Sequence, residues 1–324
     1  MSAPCIALLR ALADGGTHSS AVLAQRTSCA RATVRKALAT LRAQGVEVEA
    51  IRGSGYRLAA PYAALDAKKL FPLLKPPVDL ELRGEIDSTN AYLLGEIAAG
   101  AARAKSGRAC IAEIQTCGRG RRGRTWFAVP GASLAFSMLW RFEQPLNFLA
   151  GLSLAAGIAV VRVLRCIGAR DVRLKWPNDV VHHHRKLAGI LVETQGGNAG
   201  PSVAVIGIGI NLRLPRAVRE RIEQAVTDVA EASGTEQERN AVAAMLLNEL
   251  ATVLKEFSRS GFAGLRDEWA ELHAYQGQAV RMTRSGSEQV TGRVTGVAAD
   301  GALLIATGSG EQRFYSGEIS LRAA

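Results

Sequence analysis

The sequence lacks the cysteine pattern of a disulfide-stabilised or zinc-binding protein. It contains five cysteines among 324 residues, an odd number, and no two of them show the CxxC spacing. Regularly paired cysteines hold small secreted domains together, and closely spaced cysteines bind structural zinc. The pattern therefore indicates a reducing compartment and argues against both a disulfide framework and a zinc site. The cysteines are Cys5, Cys29, Cys110, Cys117 and Cys166.

The chain also lacks the marks of secretion and of a membrane span. The N-terminus has no cluster of positive charges, and its first apolar stretch is interrupted at Arg10, unlike a signal peptide. The longest uncharged apolar run, at residues 148–161, is shorter than the roughly 20 residues that span a bilayer. We interpret that run as a buried core helix, and we expect a cytoplasmic protein with no membrane partner.

The charge of the chain is strongly unbalanced towards basic residues. Forty Lys and Arg residues against 29 Asp and Glu residues give a formal net charge of +11 and an isoelectric point of about 9.9. Within residues 1–60, eight basic side chains accompany three acidic ones. Such an excess suits a polyanionic partner, although a solvated basic surface is its commoner meaning. Charge alone therefore does not decide the partner.

The order of elements in this basic N-terminal segment predicts a winged helix-turn-helix. A first helix starts near Pro4, a short second helix covers residues 21–25, and a basic helix covers residues 30–44. A hairpin with a glycine-containing tip at residues 52–57 follows. We predict that the basic helix enters a DNA major groove; the alternative is a small helical cap with solvated charges. The residues expected to contact DNA are Arg31, Arg35, Lys36 and Arg52.

Beyond a linker with four prolines at residues 61–77, apolar segments predict an α+β domain and then a small β domain. Short strands alternate with helices over residues 80–212, which implies a mixed sheet with helical cover. Residues 217–231 and 235–258 are predicted to be helical, and short strands after residue 275 predict a small β-barrel. The predicted strands cover residues 110–114, 134–139, 172–174, 190–192, 203–208, 279–283, 289–297, 303–306 and 312–315.

The densest chemical signal is the segment GRGRRGRTW at residues 118–126. It formally contains the GxGxxG pattern of dinucleotide-binding proteins, but that loop opens a helix with small residues. Here arginines fill the loop, and the residues from Trp126 to Pro130 are a poor helix start. Glycines allow close backbone approach, and guanidinium groups grip phosphates and carboxylates. The segment predicts a loop that closes over an anionic ligand; a nucleic-acid-binding arginine patch is the alternative.

Four further polar clusters lie at predicted strand ends or helix starts. KWPND at residues 175–179 follows a strand, and KLAGILVE at residues 186–193 opens one. GIGIN at residues 207–211 ends an apolar strand in an amide. DSTN at residues 87–90 is an apt helix N-cap, whose hydroxyl and N–H groups could instead hold a polar ligand. Each cluster alone has an ordinary structural meaning as a turn, a cap or a solvated lysine.

Three consecutive histidines, His182, His183 and His184, raise the question of a metal site. On an extended hairpin consecutive side chains cannot all point to one ion, and no acidic or cysteine partner lies at metal-binding spacing. We interpret the histidines as a solvated hairpin tip and predict no protein-bound metal.

Taken together, these clusters resemble the biotin–protein ligase family over essentially the whole chain. They occur in the family's order and at its spacing, and GEISLR at residues 317–322 resembles the end of the family's C-terminal barrel. The N-terminal winged helix is similar to that of the class that also represses biotin-synthesis genes. One departure is Thr116-Cys117, where the family commonly has a small or amide residue and then alanine. We expect Cys117 to act as a small hydrophobe there.

The resemblance implies an α+β protein of three domains. These are a winged helix-turn-helix at residues 1–60, a mixed-sheet catalytic domain of the biotin/lipoate ligase type at residues 66–272, and a small C-terminal SH3-like β-barrel at residues 273–324. The implied activity uses ATP to form biotinyl-5′-AMP and transfers biotin to a lysine of biotin carboxyl carrier protein. ATP and Mg²⁺ are then substrate and activating ion, without a tightly bound cofactor. Repression implies operator DNA as partner, biotinyl-AMP as corepressor and a ligand-promoted homodimer.

The same resemblance implies roles for individual residues. The implied catalytic residues are Lys186, Arg121 and Lys175. The implied biotin-binding residues are Ser88, Thr89, Asn90, Gln115, Arg119, Gly120, Arg121 and Lys186. The implied nucleotide-binding residues are Trp126, Asn178, Asp179 and Asn211.

Two other functions fit parts of the pattern. A lipoate or octanoyl ligase shares the core fold, but the winged helix, the segment at residues 118–126 and the C-terminal β domain argue against it. A regulator that only binds a small effector would keep the winged helix without catalysing ligation. Incubation of a biotin carboxyl carrier domain with biotin and ATP distinguishes these functions, because a biotin ligase adds the mass of biotin and an effector-binding regulator does not.

Overall fold

A computed structural model describes residues 3–284, 289–315 and 319–323, which contain ten α-helices and fourteen strands. The helices are α1 (Ala3–Leu12), α2 (Ser20–Arg26), α3 (Arg31–Ala43), α4 (Ala67–Leu70), α5 (Thr89–Ala98), α6 (Leu152–Cys166), α7 (Arg216–Arg219), α8 (Val229–Ser233), α9 (Arg239–Ser260) and α10 (Arg266–Leu272). The strands are β1 (Val48–Ile51), β2 (Gly55–Leu58), β3 (Asp79–Ile86), β4 (Arg108–Gln115), β5 (Ser133–Phe142), β6 (Val172–Lys175), β7 (Asp179–His182), β8 (Arg185–Gly196), β9 (Ser202–Asn211), β10 (Ala279–Arg284), β11 (Gln289–Val297), β12 (Leu303–Thr307), β13 (Gly310–Phe314) and β14 (Ile319–Ala323).

The N-terminal segment folds as the predicted winged helix-turn-helix, in which the β1–β2 hairpin follows α1, α2 and α3. Ser19 caps α2, because its Oγ accepts a hydrogen bond from the Val22 N–H at 3.3 Å. A Cβ at Gly55 would lie 2.0 Å from His18 O, so the wing approaches the loop before α2 this closely only with glycine. The buried face of α3 consists of Val34, Ala37, Leu38 and Leu41.

The winged helix packs directly against the larger domain. Ile114 of β4 lies in the same apolar cluster as the buried residues of α1 and α3, and Ile6 of α1 lies against Gly84 of β3. In addition, Arg221 Nη1 donates to the backbone oxygen of Ala43, the last residue of α3, at 3.1 Å. Helix α3 is therefore held both by the sheet and by the segment that follows β9.

The larger domain is built on a seven-stranded mixed sheet in the order β3-β4-β5-β9-β8-β7-β6. β3 and β4 are parallel, and the other neighbouring pairs are antiparallel. α6 and α9 pack on each other and supply much of the apolar core. Residues Leu146–Cys166 are long and apolar enough to cross a membrane by length and composition, but most of them are buried inside the fold. The predicted core helix is confirmed and begins at Leu152.

A buried ion pair ties the linker to this domain. Arg239 at the start of α9 is 2% exposed, and its guanidinium lies 2.5 Å from the carboxylate of Glu113 on β4. The guanidinium also donates to Ala63 O at 3.1 Å and to Ser133 O at 3.0 Å, while Glu113 accepts from the Leu65 N–H at 3.0 Å. Because an unpaired buried charge is costly, this cluster fixes the path of the linker against the sheet.

The C-terminal segment forms a five-stranded antiparallel sheet in the order β13-β12-β11-β10-β14. Within the part of the chain that the structure describes, the edge strands β13 and β14 do not pair, so the predicted barrel is not closed there. The Nε1 of Trp176, which is 1% exposed, donates to Gly301 O at 2.9 Å and anchors the sheet to the larger domain. Gly317 and Glu318 of the predicted terminal motif lie outside the described residues.

The single helix predicted over residues 217–231 was wrong. α7 ends at Arg219 and α8 begins at Val229, with an irregular stretch between them. The Asp228 carboxylate caps α8 by accepting from the Glu231 N–H at 2.9 Å, and it also accepts from the Leu214 N–H at 2.8 Å. Asp228 thus starts a new helix and also joins the end of the segment to Leu214 at its beginning. A continuous helix would not allow both contacts.

His273, at the junction of α10 and the C-terminal sheet, should make stability depend on pH. Its ring is 4% exposed and lies on Trp269, with ring centroids 4.5 Å apart. Burial lowers the pKa of His273 to about 3, against about 6.5 in an unfolded chain. On acidification below pH ~6.5 the unfolded chain binds a proton that the folded chain does not, so the free energy of unfolding falls by up to about 1.4 kcal/mol per pH unit.

Urea denaturation at several pH values between about 7 and about 4 measures this slope. His273→Phe keeps a ring against Trp269 and should reduce the slope. His184→Gln, a change at an exposed histidine, should leave the slope unchanged. Equal slopes for His273→Phe and the parent would contradict the role assigned to His273.

Candidate active site

The residues at the start of α5 are held against the sheet. Ser88 caps the helix, since its Oγ accepts from the Ala91 N–H at 3.4 Å. Ser88, Thr89 and Asn90 are each at most 5% exposed. The helix packs on β4, β5 and β9. Its first turn, which the sequence indicated as an N-cap, therefore belongs to the packed interior and carries three buried polar side chains.

A continuous hydrogen-bond network joins Thr89 and Asn90 to three strands. Gln115 Oε1 on β4 accepts from the Thr89 backbone N–H at 2.8 Å. Thr89 Oγ1 lies 2.7 Å from Ser137 Oγ on β5, and Ser137 Oγ donates to Asn90 Oδ1 at 2.5 Å. Asn90 Nδ2 donates to the Glu193 carboxylate on β8 at 2.7 Å. The network provides fixed donors and acceptors inside an otherwise apolar sheet.

The arginine-rich segment folds as a compact loop after β4. The Trp126 N–H donates to Gly118 O at 2.9 Å, and the Gly120 N–H donates to Arg124 O at 2.7 Å. A Cβ at Gly118 would lie 2.5 Å from Trp126 O, so the loop closes this way only with glycine. The loop contains a single 3-10 turn, Arg121–Gly123, and opens no α-helix. This confirms that the segment is not a dinucleotide-binding loop of the Rossmann type.

Two arginines of the loop reach neighbouring strands. Arg119 Nη2 lies 3.5 Å from the Glu193 carboxylate, and Arg121 Nη1 donates to Asn178 Oδ1 at 3.2 Å. Burial lowers the pKa of the Arg121 guanidinium, and the positive charge of Arg122 acts in the same direction. Arg121 is thus a partly desolvated cation, and such a cation attracts an anion more strongly than one in bulk water does.

Lys186 lies between the loop and β7. Its Nζ is 2.8 Å from Asp179 Oδ1 and 5.8 Å from the centroid of the Trp126 ring. On the backbone, the Lys186 N–H donates to Ala225 O and the Thr227 N–H donates to Lys186 O, each at 2.9 Å. The side chain is only 18% exposed, so the ordinary interpretation of a solvated lysine does not hold. A fixed ammonium group therefore lies beside the arginine loop.

Three glycines, Gly189 of β8 with Gly207 and Gly209 of β9, lie beneath these side chains, and we refer to them as the glycine floor. Gly189 and Gly209 are direct cross-strand partners. A Cβ at Gly209 would lie 2.2 Å from the Trp126 ring, and a Cβ at Gly207 would lie 2.3 Å from Asn90 Oδ1. Because glycine lacks that atom, the ring and the amide lie directly on the backbone of the sheet.

The other residues expected on the nucleotide side lie at the β6–β7 turn and at the end of β9. Lys175 and Asp179 are cross-strand partners beside the turn, and Lys175 is half-buried. Asn211 is 3% exposed, and its Nδ2 donates to Thr227 O at 3.0 Å. Its amide therefore holds the segment after α7, the same segment that binds the Lys186 backbone, instead of facing solvent.

Two sequence interpretations concern residues beside this site. His183 and His184 form the turn between β7 and β8 and are exposed, but His182 is the last residue of β7 and is buried, so the interpretation of all three as a solvated tip was wrong for His182. Among the residues that the structure describes, no group of three His, Cys, Asp or Glu side chains is placed to hold a metal ion. Cys117 is exposed, so the expectation that it acts as a packed small hydrophobe was wrong. The chain leaves β4 at this point, and the Cys117 N–H donates to Asp87 O while the thiol faces outward.

The candidate DNA contacts lie on the surface of the winged helix. Other basic residues of this domain are engaged internally: Arg57 pairs with Glu49, and Arg42 donates to Val48 O at 2.9 Å. The predicted DNA contacts Arg31, Arg35, Lys36 and Arg52 are exposed and form no ion pair within the described residues, a property that they share with Arg10 of α1.

Sequence reasoning missed two parts of the site. Ser137 is fully buried in β5 and appears in the sequence as one small residue within an apolar strand. Its signal was available in principle, because a buried hydroxyl must find a hydrogen-bond partner. The stretch from Ala225 to Thr227 was assigned to a helix, although its backbone binds Lys186. Nothing in its local pattern indicates that contact.

Comparison with known proteins shows to which family the chain belongs. A model of the biotin/lipoate A/B protein ligase family matches residues 84–211, a model of the biotin protein ligase C-terminal domain matches residues 275–322, and a helix-turn-helix domain model matches residues 6–57. The bifunctional ligase/repressor BirA of Escherichia coli (strain K12) is 41% identical over 317 residues, which are 98% of this chain and 97% of that protein. The chain belongs to the biotin protein ligase family.

Two further comparisons extend this result. The bifunctional ligase/repressor BirA of Bacillus subtilis (strain 168) is 29% identical over 296 residues, 90% of each chain. The structure of biotin protein ligase from Aquifex aeolicus in complex with biotin and ATP has a TM-score of 0.64 and 31% identity, and it covers 76% of this chain and 99% of that one. The matches include the helix-turn-helix and the C-terminal domain, so they favour the bifunctional ligase/repressor class over a lipoate ligase.

Proposed function

We propose that this family member uses ATP to form biotinyl-5′-AMP, transfers biotin to a lysine of biotin carboxyl carrier protein, and represses biotin-synthesis genes. The observation that carries the proposal is that Arg119, Arg121 and Lys186 gather around the glycine floor beside a buried polar network. The first step joins two anions, a carboxylate and a triphosphate, so it requires fixed positive charge. The Aquifex relative was solved with both biotin and ATP, which supports these two substrates.

In this proposal the biotin ring lies against the start of α5, where buried hydroxyl and amide groups match a polar ring. The ring contacts are Ser88, Thr89, Asn90 and Gln115. The arginine loop covers the ligand through Arg119, Gly120 and Arg121, and the biotin carboxylate meets Lys186. Trp126 packs near the adenine, and Asn178, Asp179 and Asn211 lie on the nucleotide side.

The proposed chemistry needs charge stabilisation and no covalent enzyme intermediate. The biotin carboxylate oxygen attacks the α-phosphorus of ATP, the bond to the bridging oxygen breaks, and pyrophosphate leaves. Lys186, Arg121 and Lys175 stabilise the charge that builds on the phosphoryl oxygens, and they act more strongly in the transition state than in the ground state. The closed loop then excludes water, which would hydrolyse the mixed anhydride before the acceptor amine arrives.

The site fits a magnesium ion that is carried in by ATP. Mg²⁺ is usually held by one or two carboxylates together with substrate phosphates, and not by an all-protein cage. Asp179 supplies such a carboxylate next to the amide of Asn178, which is consistent with the lack of a larger acidic cluster in the described residues. Bound with ATP, the ion supplies neutralisation of phosphate charge.

The proposal also assigns three domains to the chain and a location to the protein in the cell. Residues 1–60 form the DNA-binding domain, residues 66–272 the ligase domain and residues 273–324 the C-terminal domain. The buried pair of Arg239 and Glu113 supports the boundary near residue 65, because it clamps the linker there. Operator DNA and carrier protein are both found in the bacterial cytoplasm, so we place the protein there.

The first test of the proposed activity is a mass shift of a biotin carboxyl carrier domain after incubation with biotin and ATP. The parent should add one biotin. Lys186→Ala should slow adenylate formation about 30- to 1000-fold, the equivalent of roughly 2–4 kcal/mol of transition-state stabilisation. Lys255→Ala, which removes an exposed lysine of α9, is the matched control and should be as active as the parent. A folded Lys186→Ala with the parental adenylation rate would remove Lys186 from the site.

Arg121→Gly should separate retention of the adenylate from its synthesis. Arg121 is partly buried, and its guanidinium donates a hydrogen bond to an uncharged amide, so it is suited to hold an anionic product. Without it, biotinyl-AMP should escape and label lysines of a bystander protein such as serum albumin, while synthesis falls less than in Lys186→Ala. Mass spectrometry of the bystander measures the leak. Retention of the adenylate for as long as in the parent would show that the loop does not hold the ligand.

The repressor function is proposed to depend on dimerisation of the adenylate-bound form. One winged helix reads one half-site, so useful specificity needs two copies on a pseudo-palindrome. Closure of the arginine loop over the adenylate would order the nearby surface for pairing with a second copy. Within one chain, Arg221 also contacts the end of α3 and lies over the ring of Phe127, next to Trp126. Ligand and DNA-binding helix thus share a physical connection.

Gel shifts with a fragment from the organism's own biotin genes test this part. Biotin with ATP should strengthen operator binding, and binding should fall steeply as salt rises because phosphate contacts release counterions. Arg31→Ala with Arg35→Ala should abolish binding and leave ligase activity unchanged. Lys255→Ala with Arg259→Ala removes the same charge from exposed positions of α9 and should bind DNA as the parent does. If folded, active enzyme does not shift the DNA fragment under any condition, the protein is a ligase without a repressor function.

A further inference from the structure

Ser137 is a buried hydroxyl that touches no solvent and lies between two predicted ligand-binding side chains. It is 0% exposed, lies 2.7 Å from Thr89 Oγ1 and lies 2.5 Å from Asn90 Oδ1. Asn90 Nδ2 in turn lies 2.7 Å from the Glu193 carboxylate and 3.4 Å from Leu191 O. Hydroxyls and amides can each donate and accept, so the order of protons along this chain is decided by its ends.

The Glu193 end fixes the direction of the Asn90 amide. A carboxylate and a backbone carbonyl both only accept, so the Asn90 atom that faces Glu193 and Leu191 must be the NH₂ group. The opposite atom, Oδ1, carries no hydrogen and must accept from Ser137. A carboxylate on β8 thereby determines which way an amide at the start of α5 points.

The same count of protons determines the direction of the hydrogen bond between Thr89 and Ser137. Ser137 has one hydroxyl proton, which it gives to Asn90, so the proton at the contact between Thr89 and Ser137 must come from Thr89. Thr89 has then no hydroxyl proton left for the contact with Gln115 Oε1 at 3.2 Å. Gln115 Oε1 is occupied by the Thr89 backbone N–H at 2.8 Å. Towards a ligand Thr89 Oγ1 offers only lone pairs, and Gln115 offers its Nε2 hydrogens.

We propose that Ser137 and Glu193 are positioning residues that set this pattern, with Thr89 as acceptor and Gln115 as donor, and so select a ring ligand with a complementary N–H and C=O. The inference rests on the proposed function, which places the biotin ring against these residues. A ureido ring carries an N–H that can donate to Thr89 Oγ1 and a carbonyl oxygen that can accept from Gln115. Gln115 Nε2 lies near the backbone of Gly118, 3.6 Å from the position of a Cβ there, and thus at the entrance of the arginine loop.

The decisive probe is the pair of biotin carbamates in which one or the other ureido N–H is replaced by oxygen. In the parent, the isomer whose oxygen faces Thr89 brings two acceptors together and should be a poor substrate. In Ser137→Ala the Thr89 proton is released and can be donated to that oxygen. The preference for biotin over this isomer should then fall about tenfold, mainly through KM, which is the scale of one hydrogen bond. The other isomer should show no such gain.

Two further variants make the test specific. Glu193→Gln keeps the shape but allows the Asn90 amide to reverse, so the preference should shift in the same direction. Ser202→Ala removes another buried hydroxyl, which donates to Gln144 O at 2.7 Å at the far end of β9, and should leave the preference unchanged. Initial rates of pyrophosphate release with biotin and with both isomers give kcat and KM, and thermal denaturation confirms that each variant is folded.

We call the chain of hydrogen bonds from Glu193 through Asn90 and Ser137 to Thr89 the relay. The outcomes distinguish a failure of the relay from a failure of the proposed function. A parent that adenylates biotin, with an unchanged preference in folded Ser137→Ala and in Glu193→Gln, would overturn the relay alone. An equal loss of preference in Ser202→Ala would also overturn it, because the effect would then be general to buried hydroxyls. A folded parent that does not adenylate biotin would overturn the proposed function and the identity of the ligand with it.

Discussion

The site depends on one constraint, the bare backbone of the glycine floor on β8 and β9. The Trp126 ring and the Asn90 amide lie where side chains of Gly209 and Gly207 would otherwise be. A Cβ at Gly209 would lie 2.2 Å from the ring, and a Cβ at Gly207 would lie 2.3 Å from Asn90 Oδ1. Any larger residue would push the ring towards Lys186 or break the bond of Asn90 to Ser137. The positions of Lys186 and of the polar network therefore depend on the absence of side chains at the glycines of β8 and β9. The arginine loop packs on this glycine floor.

Charge in the site is balanced locally in different ways for the three cations. Lys186 faces Asp179, and Arg119 faces Glu193, so an entering anion must compete with a carboxylate at both. Arg121 donates its hydrogen bond to an uncharged amide and interacts with the Asp179 carboxylate only through longer-range charge attraction, so an anion meets less competition there. This difference is the physical basis of the proposal that Arg121 retains the bound anion and that Lys186 acts in a step in which charge appears and then leaves.

Local patterns predicted those parts of the fold whose causes are local. α3 ends near Gly45, the wing carries its glycines, and most strands lie within a few residues of their predicted positions. β3 and β7 were not predicted, because one carries alternating charges and the other is four residues long. Ser137 and the stretch at Ala225 were missed for another reason: their conformation depends on partners more than 35 residues away. Individual ligand roles came from the family resemblance, which spacing alone could not supply.

The segment between β9 and α8 shows why such long-range contacts matter for a chain with two functions. Asn211 and Asp228 fix its two ends, and its backbone binds both sides of Lys186. Arg221, in the same segment, donates to the last residue of α3. A shift of Lys186 towards a ligand must therefore be accommodated by the segment that supports the DNA-binding helix. By linkage, any effect of the ligand on DNA affinity has to be matched by an equal effect of DNA on ligand affinity.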